Sequence, residues 1–396
     1  MHSLIASYNL FSKCKLCPGR EATDEELQSF HSSSYLECLK KAEKSSDLEK
    51  LTDSQDAVDF NLGYDCPLFE NIYEFVKVIA GSTLAAAEKL ISEDQLTSIE
   101  NKITEKVNVD LAEPKSYLKY KMKPVLKKAK KEDLFDIPAN LTLEESDFNN
   151  SLALDDHLQQ SPDTNENDLP EKNNVKDART ETGKTDDRHL VAVNWLGGWH
   201  HAQRDEAEGF CYVNDIVIAI QYLLKAFKRV LYLDLDVHHG NGVENAFSFS
   251  PRVFTFSMHK YETGFYPASG SLNDIGQGNG KYYAVNIPLK DGITDEKYVN
   301  VFKKVMSKIV QKYQPQCIVV QCGADSIAGD PLGGFNLTPV ALGRCLKLLL
   351  GLELPTLVLG GGGYNIPNAA RCWTFLTSVI LDSQISEDIP DNHVSS

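Results

Sequence analysis

The stretch Arg229-Val230-Leu231-Tyr232-Leu233-Asp234-Leu235-Asp236-Val237-His238-His239-Gly240-Asn241 decides how this chain is read. Its first half is a short β-branched and aliphatic run without polar alternation, the pattern of a strand buried on both faces of a parallel sheet. Its second half sets two acids and two histidines on the loop that follows. In an open α/β sheet, ligands bind beyond the carboxyl ends of the strands, where loops converge and helix N-termini point outward. The run therefore predicts a strand and, at its end, a site.

Similar runs lie at residues 190–195, 253–258, 282–287, 317–321 and 356–359, separated by helical spacings. Such alternation predicts an α/β fold: one domain with a mostly parallel central sheet flanked by helices. Apolar residues at helical spacing also fill 22–49, with Leu27, Phe30, Tyr35, Leu36 and Leu39, and 69–91. Between them Gly63-Tyr64-Asp65-Cys66-Pro67 reads as a loop. No internal repeat is visible.

From about residue 92 to 188 the apolar periodicity fades and charge separates into blocks. Residues 115–131 hold eight lysines and no acid, whereas 132–171 hold twelve carboxylates and no Lys or Arg. Too little apolar surface is present there to offset ordering entropy, so a disordered insert is expected. The division is 1–91 and 189–396 as two parts of one domain, the second carrying the site, around an insert at 92–188. The basic run at 127–131 reads as a solvated tether or as a nuclear-import signal.

Composition excludes several classes. A net charge of −16 over 396 residues argues against tight nucleic-acid binding and permits steering of a cationic substrate. No apolar run reaches the ~18 residues of a membrane span, and the first residues lack a secretory pattern. Nine cysteines, an odd number scattered through apolar stretches, read as reduced thiols, which points to an intracellular protein of the nucleus or cytoplasm. Cys14 and Cys17 have metal-knuckle spacing, but no second pair follows at zinc-finger distance.

Four predicted strand ends carry polar clusters: Gly197-Gly198-Trp199-His200-His201, then Asp234 to Asn241, then Gly323-Ala324-Asp325, then Gly360-Gly361-Gly362-Gly363-Tyr364. Any one alone is ordinary, since a lone Asp at a strand end is usually a turn former. Together they gather chemistry at one edge. Asp236, His238 and Asp325 would give two carboxylate oxygens and one imidazole nitrogen and leave a position for water, the arrangement of a catalytic zinc, with Fe(II) able to occupy the same set. The glycine run lacks both dinucleotide spacing and a phosphate-loop lysine, so backbone room beside Tyr364 is its expected purpose.

The motifs Gly-Trp-His-His, Gly-Phe-Cys-Tyr-Val-Asn-Asp at 209–215, Asp-Leu-Asp-Val-His-His-Gly and Gly-Gly-Gly-Gly-Tyr-Asn resemble those of the zinc-dependent histone deacetylase family, class I. The likeness covers nearly everything except the insert. It implies the arginase-like α/β fold, hydrolysis of acetyl-lysine in histone tails or other acetylated proteins, and zinc on Asp236, His238 and Asp325. It further implies His201 as general base and then acid, His200 as an electrostatic contributor with Asp234 as its partner, and Tyr364 as the hydroxyl that polarises the acetyl carbonyl. Gly209, Phe210, Tyr266 and Gly362 would wall a narrow tube for the lysine stem, and Asp65 would hold substrate backbone amides at its rim. Structural potassium is implied near Asp234, His238, Ser257 and Met258, and again near Phe247, Ser250, Val253 and Tyr283.

Three departures matter. Asn241 stands where class I members have an aspartate paired with the second histidine and class II members an asparagine, so the pKa of His201 should be lower than with a carboxylate. Tyr266 replaces a phenylalanine and puts a hydroxyl at the mouth of the tube. The family's first strand precedes the position of Met1 and its terminal segment continues beyond Ser396, which would expose a sheet edge. The rival readings are an amidohydrolase of small acetylated amines, a silent acetyl-lysine-binding scaffold, and a two-manganese ureohydrolase, the last needing more carboxylate ligands than are present.

Overall fold

A computed structural model of the chain describes residues 1–44, 47–91 and 190–390. Its six strands are β1 (Val191–Asn194), β2 (Val230–Asp234), β3 (Val253–Lys260), β4 (Ala284–Leu289), β5 (Cys317–Gln321) and β6 (Thr356–Leu359). They form one sheet in the order β1-β6-β5-β2-β3-β4, every neighbouring pair parallel. All residues of β2, β3, β5 and β6 are buried, whereas the edge strands β1 and β4 are partly exposed. The unalternating apolar runs thus mark the central strands, as burial on both faces requires.

The main helices are α1 (Ser33–Lys44), α2 (Ile72–Glu88), α3 (Asp215–Leu223), α4 (Asn241–Phe247), α5 (Asp295–Tyr313), α6 (Pro339–Leu350) and α7 (Ile366–Ile380). Strand side chains alternate between the two faces. Leu231, Leu233, Phe254, Phe256, Ile318 and Val320 pack with Phe302 of α5, Leu346 of α6 and Leu376 of α7. Val230, Tyr232, Val253, Cys317 and Val319 pack on the other face with Ile216 and Ile220 of α3. A further core joins Tyr35, Leu36 and Leu39 of α1 and Ile72, Val76 and Ala80 of α2 to Tyr212, Val213 and Ile218. Residues before the insert and after it therefore share one core. At roughly 2 kcal/mol per buried apolar side chain, this outweighs exposed ion pairs such as Lys41–Asp56.

Sequence and structure differ at boundaries, for local reasons. The fourth strand starts at Ala284 rather than 282, because Tyr282 sits at φ 74°, which no extended strand accommodates. The helical stretch expected over 22–49 is divided. A capping box from Thr23 to Glu26 opens a short helix, Asp24–Gln28, and Ser32 Oγ then accepts from Tyr35 N–H to start α1. The loop at 63–67 is present as expected. The insert at 92–188, with its basic run at 127–131, lies outside the described residues. Among the described residues, no helix is long and apolar enough to cross a membrane. All nine cysteines are free thiols.

The chain order of the strands places the site. From β2 the chain moves to β3 on one side, while β5 later inserts on the other, so the crevice beyond β2 and β5 is the point where the strand order switches. In register, Asp234 of β2 lies opposite Gln321 of β5 and Ser257 of β3.

Candidate metal centre and its surroundings

At that switch point the β2 loop delivers Asp236 and His238, and the β5 loop delivers Asp325. All three are buried, and their ligand atoms lie within 4.8 Å of one another. His238 Nδ1 stands 3.2 Å from Asp236 Oδ1 and 3.0 Å from Asp325 Oδ2. The other carboxylate oxygens are held by the protein: Asp236 Oδ2 accepts from Gln321 Nε2 at 2.8 Å and from Gly362 N–H at 2.9 Å, and Asp325 Oδ1 accepts from Val237 N–H at 3.0 Å. Secondary hydrogen bonds of this kind fix the orientation of metal ligands.

The charges fit a dication. Burial and the facing Asp236 carboxylate push Asp325 up to about 7. Burial opposes charge on His238, yet its bonds to both carboxylates raise it to about 10. His238 and Asp325 thus hold protons that a divalent cation would displace, while His200 and His238 keep Asp236 ionised against its burial, and an oxygen and nitrogen donor set of this size suits zinc or Fe(II).

The β1 loop carries the histidine pair. Asp215, buried at the start of α3, accepts from Gly198 N–H at 3.0 Å, from Trp199 N–H at 2.8 Å and from Thr83 Oγ1 at 2.6 Å, so one carboxylate holds the turn that presents His200 and His201. His200 Nδ1 lies 2.7 Å from Asp234 Oδ2, which also accepts from Tyr232 Oη at 2.6 Å. Burial opposes a charge on His200, but Asp234 and Asp236 raise it to about 9. His201 Nδ1 lies 2.8 Å from Asn241 Oδ1. Burial and neighbouring His200 hold His201 well below the usual histidine range, and the hydrogen bond to Asn241 offsets this only in part. Within the pair, His200 is thus drawn toward its charged form and His201 toward its neutral form.

Aromatic rings close around these groups. The Tyr266 ring lies edge-on to His201 at 5.0 Å, and the Phe265 ring stacks on His238 at 5.2 Å, with 2° between the planes. Tyr364, from the β6 loop, lies 5.7 Å from Phe210 and 6.5 Å from His238 between ring centroids. Burial, with Asp236 and Asp325 nearby, raises the Tyr364 phenol, which keeps its proton. Phe210 is 49% and Tyr266 38% exposed, as groups at an opening should be. Asp65 Oδ2 accepts from Gly209 N–H at 2.9 Å, so it pins the Gly209–Phe210 turn.

The glycine run serves more than the room expected beside Tyr364. A Cβ on Gly362 would collide with the Asp325 carboxylate and press on Asp236, and one on Gly361 would meet the Gln321 amide. Room is needed against the Asp236 and Asp325 carboxylates, and also at Gly363 beside Tyr364, where φ is 151° and a Cβ would press on Ala369 and Ala324. Sequence reading also missed Gln321, Tyr232, Phe265, Glu208 and Asp330, whose carboxylate accepts from Tyr364 N–H at 2.7 Å. Gln321 alone left a signal, as a polar residue ending an apolar strand.

The sequence matches the family described as "Histone deacetylase domain" over residues 1–380. It is 38% identical over 392 residues to histone deacetylase 8 of Xenopus tropicalis, covering 99% of this chain and 80% of that protein. It is 37% identical over 392 residues to histone deacetylase 8 of Danio rerio, covering 99% of this chain and 78% of the other. Against histone deacetylase 1 of Homo sapiens, identity is 37% over 391 residues, 99% of this chain and 61% of that protein. A match spanning both halves of the sheet, and with it all four loops that build the buried centre, shows that this chain belongs to the histone deacetylase family.

Proposed function

We propose that this chain hydrolyses the acetyl amide of N6-acetyl-lysine in histones or other proteins and releases acetate, with one zinc ion held by Asp236, His238 and Asp325. The observation that carries this reading is the convergence, at the switch point of a parallel sheet, of two buried carboxylates and an imidazole beside a histidine pair of opposite charge preference.

When bound, zinc would supply a water of pKa ~7 and a Lewis-acidic contact for the acyl oxygen. His201, neutral at pH 7, takes a proton from the water as oxygen bonds to the acyl carbon. It returns that proton to the lysine nitrogen as the C–N bond breaks, and the acid formed gives its remaining proton to the amine, leaving acetate and a lysine ammonium. Tyr364 donates its hydroxyl hydrogen to the acyl oxygen as negative charge develops there. His200, fixed by Asp234 and charged, lowers the cost of the same negative charge.

Gly209, Phe210, Tyr266 and Gly362 would enclose the apolar stem, and Asp65 would hold substrate backbone amides at the rim. The net charge of −16 suits approach of a basic peptide. Two potassium ions would sit behind the site, one near Asp234, His238, Ser257 and Met258, the other near Phe247, Ser250, Val253 and Tyr283. The strand pairing of Asp234 with Ser257 supports the first. Residues 1–91 and 189–396 would form the catalytic domain around an insert at 92–188, acting in the nucleus or cytoplasm.

The test is incubation of zinc-loaded protein with a fluorogenic acetyl-lysine peptide, with Asp236→Ala as control. Turnover abolished by a hydroxamate chelator and absent from the variant is expected. Zinc-loaded protein without turnover would overturn the reading.

A further inference from the structure

The hydrogen bonds around Asn241 run past His201 to a residue with no role so far. Asn241 Oδ1 faces His201 Nδ1 at 2.8 Å, and Asn241 Nδ2 stands 2.9 Å and 3.0 Å from the two oxygens of Glu208. Glu208 is itself held: Gln203 Nε2 donates to Oε2 at 2.8 Å, the Tyr266 hydroxyl donates to the carboxylate, and reciprocal backbone bonds of 3.0 and 2.8 Å tie residue 208 to Cys211. The negative charge absent from position 241 thus stands one hydrogen bond further out.

The chemistry of these groups dictates the direction of the chain. A primary amide can present either end to a neighbour, but a carboxylate only accepts. Glu208 therefore draws the amide hydrogens of Asn241 toward itself, and the amide oxygen is left facing His201. An amide oxygen only accepts, so His201 carries its proton on Nδ1, and Nε2, across the ring, keeps a lone pair. Without the carboxylate, Asn241 could turn over, offer N–H to Nδ1 and move the ring proton to Nε2.

We propose that Glu208 is a positioning residue which, acting through Asn241, holds His201 in the Nδ1–H form that leaves Nε2 able to take a proton. This rests on the reading of His201 as the base. The same carboxylate anchors Tyr266, so one side chain orders both the base and an aromatic wall beside it.

Exchanging the two groups provides the test. Glu208→Gln leaves three donors, from Asn241, Gln203 and Tyr266, facing a side chain with one acceptor oxygen, and kcat should fall about tenfold with KM little changed. Asn241→Asp alone sets two carboxylates against each other and should lower kcat at least as far. Combining the two substitutions swaps amide and carboxylate: the amide now at position 208 donates to the carboxylate now at position 241, which accepts from His201. In that double variant kcat should recover to within about threefold of wild type. The ring form is read independently from the ¹⁵N shifts of histidine-labelled, zinc-loaded protein, with the His201 signals identified by their loss in His201→Asn. Wild type should show Nδ1–H alone, and Glu208→Gln a mixture of the two forms. An Nε2–H ring in wild type, unchanged kcat in Glu208→Gln, or a double variant as poor as the product of the singles would overturn the proposal. An inactive wild type would instead defeat the functional reading, and the ¹⁵N shifts would still report on Glu208.

Discussion

His31 shows how much one buried side chain can set. Its Nε2 accepts from Asn214 N–H at 2.9 Å, so its proton sits on Nδ1, facing the Arg204 carbonyl at 3.2 Å. Burial pushes its pKa down to about 4. The unfolded chain, with histidine near 6.5, therefore binds this proton first, and the neutral ring contributes stability above about pH 6.5 that is lost as pH falls toward 4, at most roughly 3 kcal/mol. Urea unfolding at pH 7.5 and 4.5 should show a smaller loss for His31→Gln than for wild type, and equal losses would refute this. On the mechanism proposed above, Tyr364→Phe would remove one donor to the acyl oxygen and should lower kcat about 100-fold, ~3 kcal/mol, with KM nearly unchanged. A loss under threefold in steady-state kinetics would assign the oxyanion to other groups. The gathering of Asp236, His238 and Asp325 was legible in the sequence because ligand chemistry restricts residue type and each follows a strand end. Gln321 and Glu208 were not legible as partners, since each acts on a residue 85 or 33 positions away that only folding brings near.

At the scale of elements, the sheet could be read from unalternating runs because burial on both faces leaves no polar positions to confuse the pattern. The break between Asp24–Gln28 and α1 could not. It is imposed by bonds from His31 and Ser32 to Arg204, on a loop far away in sequence. The turn from β6 to α7 is legible as glycine-dependent, but the neighbour that demands the glycine is not. Its Gly362 lies against the Asp236 and Asp325 carboxylates and donates its N–H to Asp236. Gly362→Ala should therefore weaken zinc binding by about 10- to 100-fold, the usual effect of disturbing a ligand's support. Competition against a chromophoric chelator would measure this, with the metal-free Tm as a control. Wild-type zinc affinity in the variant would mean that the loop does not support the ligands.

For the whole molecule, folding and metal binding should be linked. A ligand bound only by the folded state stabilises it by about 4 kcal/mol at 1,000 times its Kd. Because protons on His238 and Asp325 compete with the cation, zinc should raise Tm more at pH 8 than at pH 6, and Asp236→Ala should lose the shift. Calorimetry at the two pH values checks both statements, and a shift independent of pH would contradict them. The claim on which everything else depends is that one zinc at this triad performs the hydrolysis. It is tested most directly by titrating metal-free protein with zinc while following acetate release from an acetyl-lysine peptide. Activity should rise linearly and reach its plateau at one zinc per chain, with no rise in Asp236→Ala. Turnover in the metal-free protein, or equal activation of the variant, would contradict the account.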